Sequence, residues 1–564
     1  MAPTARLSLL SIPLVVALGS GTPAIAQHHN KHDDRVLKED PRLAEGQLAP
    51  VLEGLGDHHH EVTTDSDGAQ RFFDQGLKLT YGFNHQEALR SFKEAARLDP
   101  DCAMAYWGWA LVLGPNLNLP MFPEVVEQAY EAAQQAVKLK DGVSEKERAL
   151  IEALALRYLN DPEADRAPLN RAYADAMAKA HLNFPEDNDV ATLYAAGLMN
   201  LTPWNYWTHD GQPKGDTQTV LDVLEGVIER DQHHEGALHY YIHIVESVDA
   251  RRGEKAADLL RGLAPGAGHL VHMPSHIYMQ TGRYAESFED NTLAAQADEN
   301  YITQCRAQGL YPLTYYPHNV HFVAWAAAMQ GRSSAALEES RKVAARVPTD
   351  LEHNVWGLYQ IFLGMPLETM VRFGEWEQVL NEPKPPKNLA YVRGLWRFAR
   401  GMAYVHTDEA KKARKELLAL AKIADDPDTD GTGVGFTNIG RLLGIARAML
   451  TGEIDATEGR YDAAIGHLTR ATLLEDGMLY NEPPDWIVPV RHTLGAVLLE
   501  AGYPEEAETV YWQDLSKRQE NGYSLYGLWK SLVAQGRTQE AAEILERFEA
   551  AWADADTALT SSRF

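Results

Sequence analysis

Nine of the chain's 22 histidines lie between residues 233 and 321, under a sixth of its length, and their spacing points to metal chemistry. In GALHYYIHIVES, His239, His243 and Glu246 are four and three residues apart. On a helix those three share one face, each about a turn from the last. In AGHLVHMPSHIY, His269, His272 and His276 repeat the device, and in YPHNVHFVAW His318 and His321 do so again. Imidazole nitrogen with carboxylate oxygen suits a divalent transition metal (Zn, Cu, Fe or Mn, with Ni also compatible). The eight candidate ligands exceed one tetrahedral site. The pattern therefore implies one or two ions, or some rings acting as supports and proton carriers. HYYIH lacks a Glu after its first His, so it is not the HExxH zinc-protease motif. Glu246 is a ligand or, if the site turns over, a general base. Trp204, Trp207, Asp210, Tyr240 and Tyr278 are the candidate wall of a substrate pocket. Each of these side chains alone would serve equally well in packing; the case rests on their number and register.

Helices must position these residues, and a repeat of small and large side chains supplies them. The stretch FDQGLKLTYGFNHQEALRSFKEAARLDP sets Gly76, Ala88, Phe92, Ala95 and Pro100 at the intervals of a helix-turn-helix repeat. Copies return at Gly282, Tyr284 and Ala294; at Gly331, Ala336 and Pro348; and at Gly459, Tyr461, Ala464 and Leu468. Near the C-terminus, Gly495, Gly502, Ala507 and Tyr511 fall in step, then Leu528, Gly536, Ala541 and Leu545. Small residues let two helices of a unit approach, and large ones fill the gap to the next unit. A single unit cannot bury its own apolar face, so roughly ten to twelve should stack. These strings resemble the tetratricopeptide repeat superfamily over nearly the whole chain after residue 67. The string from His239 to Tyr284, with the opening FDQGL…DPDCAMAYWG, is similar to a group of exported bacterial tetratricopeptide proteins. That resemblance implies an all-α right-handed superhelical solenoid, with the second, fifth and ninth places of each first helix facing the groove. His269, His272 and His276 take those three places, and His318 and His321 take the second and fifth. Met273-Pro274 should kink the helix among them.

Around the array the chain divides simply. Arg6, the apolar run Leu7–Leu18 and Ala24-Ile25-Ala26 read as a signal peptide over 1–26, which implies a periplasmic or secreted protein. Residues 27–66 read as a flexible arm with His28, His29, His32 and His58-His59-His60, a tract that can bind metal loosely. A first array should span 67–350 with the His-rich groove, and a second 351–564. Two stretches, 201–218 and about 302–316, read as inserts that shape the pocket. No other run approaches ~18 apolar residues, so no membrane span is expected. The formal charge of −28 argues against nucleic acid. Cys102 and Cys305, about 200 residues apart, read as free structural thiols.

Two classes of function remain open on these grounds. One is a metal-dependent enzyme acting on a small organic or polar substrate, or a metal storage or delivery protein using the same site without turnover. The other is an envelope protein-interaction scaffold. Such a scaffold's groove should be rich in Lys, Arg and Asn, and this one offers His and aromatics.

Overall fold

The computed structural model describes residues 46–305, 307, 310–347, 356–430 and 433–564. The expected signal peptide, His28, His29, His32 and the boundary at 350/351 lie outside them. The chain is an all-α stack of helix-turn-helix repeats. Its only strands among the described residues are the two-residue pair Gly433–Val434 and Thr437–Asn438.

The first half pairs α1 (Asp67–Tyr81) with α2 (His85–Leu98) and α3 (Ala103–Leu113) with α4 (Val126–Leu139). Next come α5 (Glu145–Ala155) with α6 (Arg166–Asn183), α7 (Asn188–Met199) with α8 (Thr217–Arg230), and α9 (Glu235–Val245) with α10 (Ala250–Leu260). The broken pair α11 (Gly268–His272) and α12 (Pro274–Thr281) packs on α13 (Tyr284–Cys305), and α14 (Leu310–Met329) on α15 (Ser333–Arg346). The second half pairs α16 (Trp356–Arg372) with α17 (Trp376–Asn381) and α18 (Ala390–His406) with α19 (Ala410–Ala424). After the short α20 (Pro427–Asp430) come α21 (Ile439–Thr457) with α22 (Tyr461–Asp476) and α23 (Val490–Glu500) with α24 (Pro504–Lys517). The last pair is α25 (Gly522–Ala534) with α26 (Thr538–Ala551). The twelve pairs described match the expected ten to twelve units.

Local sequence accounts for these boundaries. Ser66, Asn84 and Asn521 cap the first turns of α1, α2 and α25 with side-chain oxygens, and Ser144 with Glu147 forms a reciprocal capping box on α5. Gly282 closes α12 in the left-handed conformation at φ 83°, which a Cβ would strain. Met273 separates α11 from α12, as its following proline predicts. Packing follows the repeat logic. The Phe92 ring sits between Gly76 and Gly108, and the Tyr511 ring between Gly495 and Gly527, so close that an added methyl on any of the four would overlap the ring.

Three features differ from expectation or refine it. Most of the described part of the expected insert at 302–316 is helical: α13 runs through Cys305 and α14 starts at Leu310. Tyr311 and Tyr316 donate hydrogen bonds to Asp298 and Glu299, tying the two helices together. Residues 46–66 are not a loose arm but a strap without helix, with Ala49, Leu55, His60 and Val62 buried in the array. Its backbone is held by side chains of α1, α2 and α5: Gln75 accepts from Leu52 N at 2.8 Å and Glu147 from Thr63 N at 2.7 Å. The apolar interior changes hands near residues 279–294, one large cluster running from Ala49 to Tyr278 and another from Ala295 to Ile544. Cys102 and Cys305 are buried and form no disulfide with each other. No helix among the described residues is long and apolar enough to cross a membrane.

Candidate metal centre

The histidine-bearing helices α9, α11, α12 and α14 meet on the inside of the coil, and nearly all of their rings are buried. His239 and His243 on α9 and His269 on α11 bring ring nitrogens within 4.8 Å of one another. Their exposures are 0%, 3% and 3%.

Hydrogen bonds settle what those nitrogens are. His239 Nδ1 lies 2.5 Å from the Tyr81 carbonyl oxygen, which can only accept, so Nδ1 carries the proton and Nε2 is a bare lone pair. His243 Nδ1 donates to Glu246 Oε1 at 2.9 Å, which leaves its Nε2 bare as well. Both Nε2 atoms, and both nitrogens of His269, are buried without a hydrogen-bond partner. Burial, and then the neighbouring histidines, push the His239 and His269 pKa values well below the ordinary range; burial also lowers His243 despite Glu246. Three neutral imidazoles with converging lone pairs form a donor set for a divalent cation.

Glu246 lies outside that trio: one oxygen accepts from His243 and the other stands against His276, and with His276 and Glu482 it forms a further buried group whose ligand atoms lie within 4.8 Å of one another. His276 Nδ1 stands 2.6 Å from Glu246 Oε2 and 3.0 Å from Glu482 Oε2. Its other nitrogen, Nε2, lies 2.8 Å from His272 Nε2. His272 Nδ1 faces Asn291 Oδ1 at 2.6 Å, and the Asn291 amide nitrogen donates to the Ser287 carbonyl, so the amide oxygen must face His272. His272 therefore presents a lone pair to His276, which donates. Burial would lower the His276 pKa, but Glu246 and Glu482 outweigh it and raise it well above the ordinary imidazole range. Burial would raise Glu246, yet His276 and His243 hold it below the ordinary carboxylate range. His276 is thus an imidazolium linking two carboxylates to His272, with His318 edge-on to His272 at 4.7 Å between ring centroids. His272, His276 and His318 also bring ring nitrogens within 4.8 Å, but a proton already occupies the space between the first two.

The remaining expected residues divide. His321 joins neither group; its ring stands edge-on to Phe362 at 5.8 Å, and burial drops its pKa to about 3. Trp204 stands edge-on to His243 at 5.3 Å, and Tyr240 stacks on His239 at 5.6 Å. Trp207 instead donates to the Ile244 carbonyl. Asp210 is exposed and accepts from Thr208 in its own turn, and Tyr278 points away to Asp258. These three fix the turn 206–214 and the α10–α12 contact, so they do not wall the centre.

Sequence reasoning missed Phe83 and Glu482. Phe83 sits at φ 54°, a region rare for a bulky residue, and packs 4.4 Å from His239, 5.3 Å from His269 and 5.9 Å from His243. Its position in the turn between α1 and α2 gave no sign of this. Glu482, in the NEPPDW stretch expected to cap a unit boundary, comes from the other half of the chain. Gln280 on α12 hydrogen-bonds it in place. Another sequence-distant group, Asp189 with His58, His60 and His234, lies beyond Tyr81.

No family model matches the chain, and no curated protein matches it. Among solved structures it is similar to the human IFIT1 dimer with m7Gppp-AAAA, at 13% identity over 87% of this chain and 92% of that one, with a TM-score of 0.28. It is likewise similar to the APC/C hetero-tetramer Cut9-Hcn1 (15% identity, 86% and 78% covered, TM-score 0.28). The yeast Tom70 structure is a third (14% identity, 85% and 99% covered, TM-score 0.33).

Proposed function

We propose that this protein is an exported helical repeat protein that holds a divalent transition ion on His239, His243 and His269. One observation carries the reading: three buried imidazoles present unpartnered nitrogens to a common point, two of them with tautomers dictated by Tyr81 and Glu246. Such an ion, with three protein nitrogens and a coordination position to spare, supplies Lewis-acid chemistry. The protein's own contribution is to orient the rings and to exclude water. Tyr81 and Glu246 fix two rings, while Phe83, Tyr240 and Tyr315 close aromatic faces over the trio; Tyr315 lies 4.8 Å from His269. Burial this deep favours holding or delivering an ion.

The scaffold reading draws support from the repeat architecture alone. The inner face at this level is filled by histidine and aromatic rings and by the segment bearing Glu482, so an extended peptide would have to bind elsewhere.

Metal content of the full chain, purified after export, tests the proposal. Wild type should carry an ion that His239→Ala and His269→Ala each lose while helicity at 222 nm stays unchanged. Retention of the same metal content in both folded variants would rule it out.

A further inference from the structure

The strap that the sequence suggested would be loose builds a separate cluster of metal donors. Asp189, at the start of α7, is buried and receives four groups. Tyr81 Oη lies 2.6 Å from Oδ1, His58 Nε2 3.0 Å and His234 Nε2 3.2 Å, while His60 Nδ1 lies 2.7 Å from Oδ2. The tautomers can be assigned. His234 Nδ1 accepts from the Ala237 backbone N–H as the N-cap of α9, so its Nε2 bears the proton and donates to Asp189. The Tyr81 hydroxyl can only donate to a carboxylate. The carboxylate only accepts, so His58 Nε2 and His60 Nδ1 donate to it as well.

His60, 5% exposed, points Nδ1 at Asp189, and its Nε2 is buried without a partner. Glu235 Oε2 is buried without a partner too. Both residues line a cleft of about 670 Å³ between the strap and the N-terminal ends of α7 and α9. Seven of its lining residues are Asp or Glu against one Lys, which selects a cation over an anion.

We propose that this cleft is a second metal site, independent of the first, for a divalent first-row transition ion. His58 Nε2, His60 Nδ1 and Asp189 are its donors, the ion taking the place of the protons those nitrogens direct at the carboxylate; Asp187 stands at its rim, and Tyr81 and His234 orient Asp189. His60 with Asp187 and Asp189, and His58 with Asp189 and His234, each bring one donor atom per residue within 4.8 Å. Mixed imidazole and carboxylate donors suit zinc, cobalt or manganese. The neighbouring His59 is no part of it: its side chain is 58% exposed and pairs with Asp74.

Cobalt(II) titration of the metal-stripped full chain, read by equilibrium dialysis and visible absorption, tests the site. His60→Asn keeps a hydrogen-bond donor toward Asp189 but removes the imidazole. It should bind one equivalent fewer than wild type, as should His58→Ala combined with His60→Asn. His239→Ala should leave this equivalent intact. Wild-type stoichiometry in both strap variants would overturn the proposal. A wild type binding only the His60-dependent equivalent would sink the buried-trio reading and leave this one standing. Carbethoxylation of wild type needs no variant: cobalt should shield His58 and His60 while His59 reacts as before. Equal reaction at all three with and without cobalt would overturn it.

Discussion

At the scale of single residues, the metal reading turns on where protons sit. In the proposed site, His239 and His243 would be made ligands by what their far nitrogens touch, a carbonyl in one case and a carboxylate in the other. Glu246 would then be a positioning residue. Replacing it with Gln keeps size and hydrogen-bonding capacity but loses the charge that orients His243 and anchors His276. Supports of this kind are worth about 10- to 100-fold in metal affinity. Glu246→Gln should weaken binding at the buried trio by that factor, measured by competition with a chromophoric chelator, with an unchanged helical signal. Tyr81 separates the two sites: its carbonyl serves His239, and its hydroxyl serves Asp189. Tyr81→Phe should spare the His239-dependent ion and weaken the His60-dependent one. Equal weakening of both in the same titration would contradict the assignment.

At the scale of elements, glycine placement decides how closely repeats stack. Gly108 meets the Phe92 ring from the following unit, so Gly108→Leu should overpack the layer and cost about 1–3 kcal/mol. Gly466 is an exposed interior position of α22 with nothing near a Cβ, and Gly466→Ala should stabilise by about 0.5–1 kcal/mol. Urea midpoints followed at 222 nm check both signs. The break at Met273 matters in the same way. It lets α11 aim His269 toward α9, while α12 turns His276 toward Glu246 and Glu482. Pro317, inside α14, stands beside His318 in a comparable place.

At the scale of the whole molecule, the coil closes on itself. Tyr284 donates to the Gln519 carbonyl at 2.6 Å, Arg251 to the Gln519 side chain at 2.5 Å, and Asp556 accepts from Ser333 N and Ser334 N. Arg372 donates to the Ile487 carbonyl at 3.1 Å and so holds the buried segment that carries Glu482. Beside that segment lies Glu368, 2% exposed, whose pKa burial and then Asp485 raise to about 8. The folded state therefore binds this proton more tightly than the unfolded chain does. Its contribution is complete below about pH 4.3 and is lost as pH rises toward 8, by up to about 1.4 kcal/mol per pH unit. Glu368→Gln should flatten that decline and raise the urea midpoint at pH 8 relative to wild type while changing little at pH 4. A parallel pH dependence in the two proteins would refute the assignment.

The helical repeat, its register and the inward face of five histidines were all readable in the chain. They depend on contacts three and four residues apart and on small residues at fixed intervals, which any helix pair of this kind must obey. Tertiary structure alone decided which of the eight candidate ligands meet with which, and left His321 out of both groups. It also placed Glu246 behind His243 and set Phe83 against the rings. Glu482 and Asp189 carry no local mark, because Glu482 meets His276 from the other half of the chain and Asp189 meets His60 and His58 across 129 and 131 residues. The strap likewise looked unstructured because it has no helical period. It is held by side chains of other elements, and its own sequence says nothing of them.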